Sequence, residues 1–416
     1  MKIRAITYFC NPGWPLHEDT FRQAGNFLEV ARPAFEAAGY QVQTARLATP
    51  PFPLLLRLPE RQANSSQVRA EAAQLALAYS QAARRWGYDY LSLGPALPEV
   101  PASYSLIPAL LAVGQNLFLS ALMTTGDGVS LPAVRACAEI IQQVAGLTPD
   151  GFSNLRFAAL ANVPPGAPFF PAAYHQGEQP SYALAAEAAD LAVQACSQAA
   201  SLEEACQNMI EAIQSHAQAL AGVVQAIALA APAFGGIDFS LAPFPELALS
   251  LGTAFERLGV PRVGLPGSLA AAAILADSLD QARFPRAGFN GLFLPVLEDV
   301  TLARRAAEGS LSIKDLLLFA AVCGAGLDTV PLPGDTPPVA LAAILLDLAA
   351  LALRLDKPLT ARLMPIPGKA AGDLTDFDFP YFANSRVLPL EAEALARHLG
   401  SQAVFPLKSR TARGLR

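Results

Sequence analysis

The chain has 416 residues, of which 53% are hydrophobic and 15% charged, with a formal net charge of −6. That acidic balance, with no strongly basic block before the tail, argues against a general nucleic-acid surface, and five scattered cysteines without a CxxC pair suit a reducing cytoplasm. A mean hydropathy of +0.33 raises the question of membrane spans, but the two nearly charge-free stretches of sufficient length, 100–126 and 217–237, are broken by residues such as Pro101, Pro108, Asn116, Gln225 and Pro232.

Strand-like runs alternate with alanine-rich helical patterns, the signature of an α/β protein whose strands are covered by helices. Residues 2–9 read as the first strand, with no apolar signal core before it. Cys10-Asn11-Pro12-Gly13-Trp14-Pro15 is a turn-rich loop, and a helix over 20–38 ends at Gly39 before a strand over 41–47. A proline-rich connection over 49–64 leads to a helix over 66–86 and a strand over 88–93. The apolar run 117–123 opens into Thr124-Thr125-Gly126-Asp127-Gly128, a polar loop at a strand end, where α/β folds place chemistry. Neither a phosphate-loop nor a GxGxxG spacing accompanies it, so a plain glycine turn is the competing reading.

A strand over 156–162 enters a segment, 163–178, too proline-rich for regular structure. His175 lies there between Tyr174 and Gln176, either a general base or ligand or a loop residue bonded to backbone. Helical patterns fill 181–230. Residues 234–243 read as strand plus loop, with Asp238 and Ser240 on one face by the period of two. A helix over 246–258, a strand and loop over 262–268, and a helix over 269–279 precede the apolar run from Asn290 to Asp299.

Ser312 and Asp315 form a capping-box pattern for a helix to Val322. Cys323 then stands at that helix's C-terminal end, where the dipole raises a thiol's pKa, beside Gly324 and Gly326. Residues 327–332 read as a short buried strand carrying Asp328, whose expected partners are backbone amides or Lys369. An apolar helix over 337–355, a last core strand over 359–367 and the loop Gly368-Lys369-Ala370-Ala371-Gly372-Asp373 follow. A single domain over 1–400 and a solvated tail from Ser401 are expected, with roughly ten strands in all.

Four segments carry a resemblance: Met1-Lys2-Ile3-Arg4-Ala5-Ile6-Thr7, Gly236-Ile237-Asp238-Phe239-Ser240-Leu241-Ala242-Pro243, Cys323-Gly324-Ala325-Gly326-Leu327-Asp328 with Asp335-Thr336-Pro337, and Lys369 to Asp373. Together, and in this order, they resemble the uncharacterised domain-of-unknown-function family 711, whose bacterial members are labelled formate-lyase-like. The resemblance implies a ten-stranded α/β barrel similar to that of the glycyl radical enzymes, with helices outside and loops projecting inside. Radical chemistry is not expected, because the nearest match to the radical segment, Arg386-Val387-Leu388-Pro389-Leu390, has no glycine. The chain also departs from the family in the apolar Leu117-Phe118-Leu119-Ser120-Ala121-Leu122-Met123 and in lacking a glycine-rich loop near 187–192.

The candidate catalytic set inside such a barrel is His175, Asp238, Cys323 and Asp328, and the candidate ligand-binding set is Asn11, Thr125, Asp127, Ser240, Lys369 and Asp373. No metal-ligand spacing is present and no cofactor is specified. The expected partner is a small polar metabolite, with catalysis or regulation by binding as the two readings, and a homo-oligomer is possible; nucleic acid and membrane are not expected.

Overall fold

Short apolar runs become strands, and the longer alanine- and leucine-rich runs between most of them become helices, in the computed structural model, which describes residues 1–58 and 66–409 and the backbone but not the side chain of Cys323. The strands are β1 (Lys2–Phe9), β2 (Val42–Ala48), β3 (Tyr90–Ala96), β4 (Leu117–Leu122), β5 (Thr124–Thr125), β6 (Gly128–Ser130), β7 (Phe157–Ala161), β8 (Ser181–Glu187), β9 (Ala233–Asp238), β10 (Gly326–Pro333), β11 (Leu359–Ile366) and β12 (Val404–Phe405). Nine of them form one mixed sheet in the order β10-β11-β7-β4-β3-β2-β1-β8-β9. Neighbours are parallel except β1 with β8 and β11 with β7. The protein is therefore an α/β protein with a large, mostly parallel central sheet, and continuous ladders do not close it into a ten-stranded ring. Beyond each edge lies one isolated parallel bridge, Ile237 with Arg286 and Pro295 with Asp328.

Two expectations over single elements fail. Residues 181–187, expected to be helical, form β8 between β1 and β9. Their alanines mimic a helix pattern, yet small side chains also suit a strand buried on both faces. Residues 262–268, expected to include a strand, form turns in which Gly264 and Gly267 adopt φ of 98° and 106°, values outside strand backbone. The helix Ile313–Cys323 has the expected capping box and ends at Gly324 in the left-handed conformation. Of the expected connection over 49–64, residues 59–64 lie outside the described residues, as do Arg410, Arg413 and Arg416 of the tail. Val404–Phe405 pairs with β6, so this part of the tail belongs to a small three-stranded sheet.

The helix Pro338–Leu355 is long and apolar enough to cross a membrane, but half of that stretch is buried and it packs on the helix Leu131–Ala145. The helices cover the outer face of the sheet. Its other face carries Phe9, Ala48, Phe118, Ala158, Leu160 and Ala183, covered by Phe169, Phe170, Ala172 and Ala173 of the proline-rich segment and by Phe289 and Phe293. Three strand-side groups fasten that segment: Thr7 Oγ1 donates to the Pro168 carbonyl at 3.2 Å, Ser92 Oγ to Ala173 at 2.7 Å, and the Thr49 carbonyl accepts from the His175 amide at 2.9 Å.

Candidate functional site

A strand buried on both faces reads as continuous hydrophobics, and a charge on its inner face must find partners there. Three strands break that rule with arginine: Arg4 on β1, Arg46 on β2 and Arg362 on β11. Arg362 donates from Nη2 to Asp328 Oδ2 at 2.8 Å and to Glu298 Oε1 at 2.8 Å, and from Nε to Asp328 Oδ1. Arg4 Nη2 donates to the other oxygen of Glu298. Glu298 stands next to Asp299, whose carboxylate caps the helix Val300–Ala307, so the helix start fixes its position. Asp328 is aimed by a bulge: pairing of β10 with β11 shifts register between Leu327 and Val330, and Thr329 is held at φ 40°.

Arg46 is different. Its side chain is buried, Nε donates to Thr44 Oγ1 at 2.9 Å, and its guanidinium lies 5.9 Å from the Tyr90 ring and 5.2 Å from the Phe170 ring. Among the described residues no carboxylate lies within ion-pair distance of it. Burial, then the positive charges of Arg4 and Arg362, push its pKa below the ordinary arginine range. Burial would raise Glu298, but Arg4 and Arg362 outweigh it and hold this carboxyl below its usual value. Burial dominates at Asp328 and raises it even against the pull of Arg362. Arg4, Arg46, Arg362 and Glu298 open onto a cavity of about 80 Å³ whose other walls include Tyr90, Phe118, Phe169, Phe170 and Tyr381. That volume holds several waters or the polar end of a small ligand.

The residues singled out from the sequence fall into separate places. Asp238, Ser240 and Asp328 line a recess that adjoins this cavity through Arg4, Phe169 and Glu298. Asp238, however, accepts from Ser240 N and Oγ and from the amides of Phe289 and Asn290, so its carboxylate holds a loop in place. Four donors leave it little capacity for chemistry. His175 and Asn11 sit together elsewhere, on a larger open cavity of about 430 Å³ at the carboxyl ends of β1 to β4. His175 is buried, its Nε2 has no protein partner, and burial lowers its pKa against a hydrogen bond to Gly177.

The Cys323 backbone closes its helix as expected, and its side chain lies outside the described residues. Thr125 and Asp127 shape the β5–β6 hairpin, where Thr125 Oγ1 accepts from the Asp127 amide at 3.1 Å on the exterior. Lys369 pairs with Asp376 at 3.1 Å rather than with Asp328, and Asp373 Oδ2 accepts from the Ala370 amide. These last four residues line neither cavity. The sequence reading passed over Arg4, Arg46, Glu298 and Arg362. A lone arginine inside Leu359-Thr360-Ala361-Arg362-Leu363-Met364 was the available signal, since burial demands a partner for it. Among the described residues no three His, Cys, Asp or Glu side chains gather as a metal site.

The fold and this cluster define an α/β protein with an arginine-lined cavity. The chain belongs to the family described as Uncharacterised ACR (DUF711), whose model matches residues 1–384. A protein of Pyrobaculum arsenaticum named UPF0210 protein is 32% identical over 425 residues, covering 95% of this chain and 91% of the relative. Another of that name from Pyrobaculum islandicum is 33% identical over 413 residues, covering 90% and 87%. One from Lacticaseibacillus paracasei is 29% identical over 372 residues, covering 85% and 81%.

Proposed function

We propose that the cavity beside Arg46 binds a small anionic metabolite. The observation that carries this reading is a buried arginine that lines the cavity and has no carboxylate within ion-pair distance among the described residues, a costly arrangement until an anion arrives. Arg4 and Arg362 are neutralised by Glu298 and Asp328, so Arg46 supplies the free charge. Because both of those carboxylates are committed to guanidinium groups, the network favours holding a ligand over moving a proton. Titration calorimetry with small carboxylates and inorganic phosphate should show saturable binding to the wild-type protein, with Arg46→Met losing it. Equal affinities for the two proteins would sink the assignment.

We also infer that the stretch from Arg286 to Pro295 acts as the tenth member of a ring resembling the glycyl radical enzyme barrel. Its support is that the edge strand β9 bridges to Arg286 and the opposite edge strand β10 bridges to Pro295, so one short segment joins both edges. The cavity then lies inside that ring. A cytoplasmic setting fits this reading, since Cys10, Cys137, Cys196 and Cys206 are all free thiols.

A further inference from the structure

We infer that the anion held at Arg46 is a monocarboxylate carrying a flat apolar body, an aromatic acid being the simplest representative. This inference rests on the anion-binding reading above and adds the ligand's charge, shape and polarity. Charge comes first. Three guanidinium groups meet in the cavity and two of them are answered by Glu298 and Asp328, which leaves one positive charge without a partner. Glu187 also attracts Arg4, but it brings Lys2 with it at 3.8 Å, so counting both leaves the same excess of one positive charge. A monoanion neutralises the remainder, whereas a phosphate dianion would bury an extra negative charge. A guanidinium presents a planar fork that matches a carboxylate's two oxygens.

Shape and polarity follow from the walls. Tyr90 is the cross-strand neighbour of Arg46 in the β2–β3 register, and its ring packs edge-on against Phe118 at 5.0 Å. Phe118 in turn packs edge-on against Phe170 at 5.5 Å, so three rings make a continuous wall beside the guanidinium. Phe170 and Tyr90 also lie against Arg46, which keeps its charged group at the rim of that wall. A ligand whose carboxylate engages Arg46 meets this aromatic wall on one side, with Gln43, Thr44 and Tyr381 also lining the cavity. Flat apolar groups gain on that wall through burial and offset or edge contacts, whereas a hydroxylated body laid against the same three rings loses hydration there.

The test is titration calorimetry of the full chain with benzoate, acetate, inorganic phosphate and benzamide, repeated on Arg46→Met and Phe170→Leu, with thermal melts to verify folding. Benzoate is expected to bind one site at least about tenfold more tightly than the other three. Arg46→Met should lose benzoate binding with no fall in melting temperature, and Phe170→Leu should weaken benzoate about tenfold while leaving acetate unchanged. Acetate or phosphate binding as tightly as benzoate would overturn the flat monocarboxylate and leave the anion site standing. Benzamide matching benzoate, or silence from every probe, would overturn both this inference and the reading beneath it.

Discussion

Asp328 spends both carboxylate oxygens on one guanidinium, and Arg362 reaches on to Glu298, so these three side chains behave as a unit. The sequence makes it evident that a carboxylate in an apolar strand is buried and must be paired, and it is 2% exposed. Its partner was not legible, because Arg362 is brought alongside only by the pairing of β10 with β11 and by the bulge at Thr329. A partner set by register across 34 residues leaves no local spacing to read. Asp328→Ala leaves the buried Arg362 guanidinium with one of its two carboxylate partners, Glu298, and should cost about 3 kcal/mol, measured by urea denaturation, more than loss of a neutral hydrogen bond. Removing both charges, as in Asp328→Leu with Arg362→Met, should recover most of that loss. A single variant within 1 kcal/mol of wild type, on the order of an exposed pair, would contradict this account.

His175 supplies a second residue-scale outcome. Its folded pKa lies below the ordinary 6.5 because burial penalises the imidazolium. As pH falls through about 6.5, the unfolded chain binds a proton that the folded chain refuses, so stability declines with acidification. Melting temperatures measured between pH 7 and pH 5 should drop, and His175→Gln should flatten part of that slope. His216, shifted in the same direction mainly by burial, adds to that slope, while carboxyls that burial raises, such as Asp238 and Asp299, work against it. An unchanged slope in the variant would mean that the imidazole titrates as in water.

At the scale of elements, the strands with branched or aromatic residues, such as β1 and β11, could be read directly from the sequence, as could the helix that Ser312 caps and Gly324 ends. The alanine-rich β8 could not, since its place between β1 and β9 overrides its composition. The stretch joining the two edges of the sheet is a further case. It has too few ladder bonds to register as a strand, although Ala287 N donates to Ile237 at 3.0 Å and Val296 N to Asp328 at 3.1 Å. If it completes a ring, those two amides should exchange hydrogen as slowly as the neighbouring β9 and β10 amides. Exchange at the rate of the exposed 368–373 loop would leave the sheet open at that side.

For the whole molecule, the high apolar content finds its explanation in geometry rather than in a bilayer. The sheet is buried under helices on one face and under aromatic and alanine side chains on the other, so hydrophobic residues are needed on both. That layering was implicit in the alternation of strands and helices. The inner charged cluster was not, because its members come from the first, second, tenth and eleventh strands and from the turn before a helix.

The proline-rich cover over that inner face also has a kinetic meaning. It contributes no ladder of its own and is fastened at Thr7, Thr49 and Ser92 by single hydrogen bonds, yet Phe169 and Phe170 on it form part of the cavity wall. If ligand enters past this wall and not through the open side of the cavity, arrival depends on how often the fastenings open and not on diffusion alone. In stopped-flow mixing, the observed binding rate should therefore level off with rising ligand concentration, and Ser92→Ala should raise that plateau. A rate that stays linear in concentration for both proteins would show that the cavity is filled from the open side.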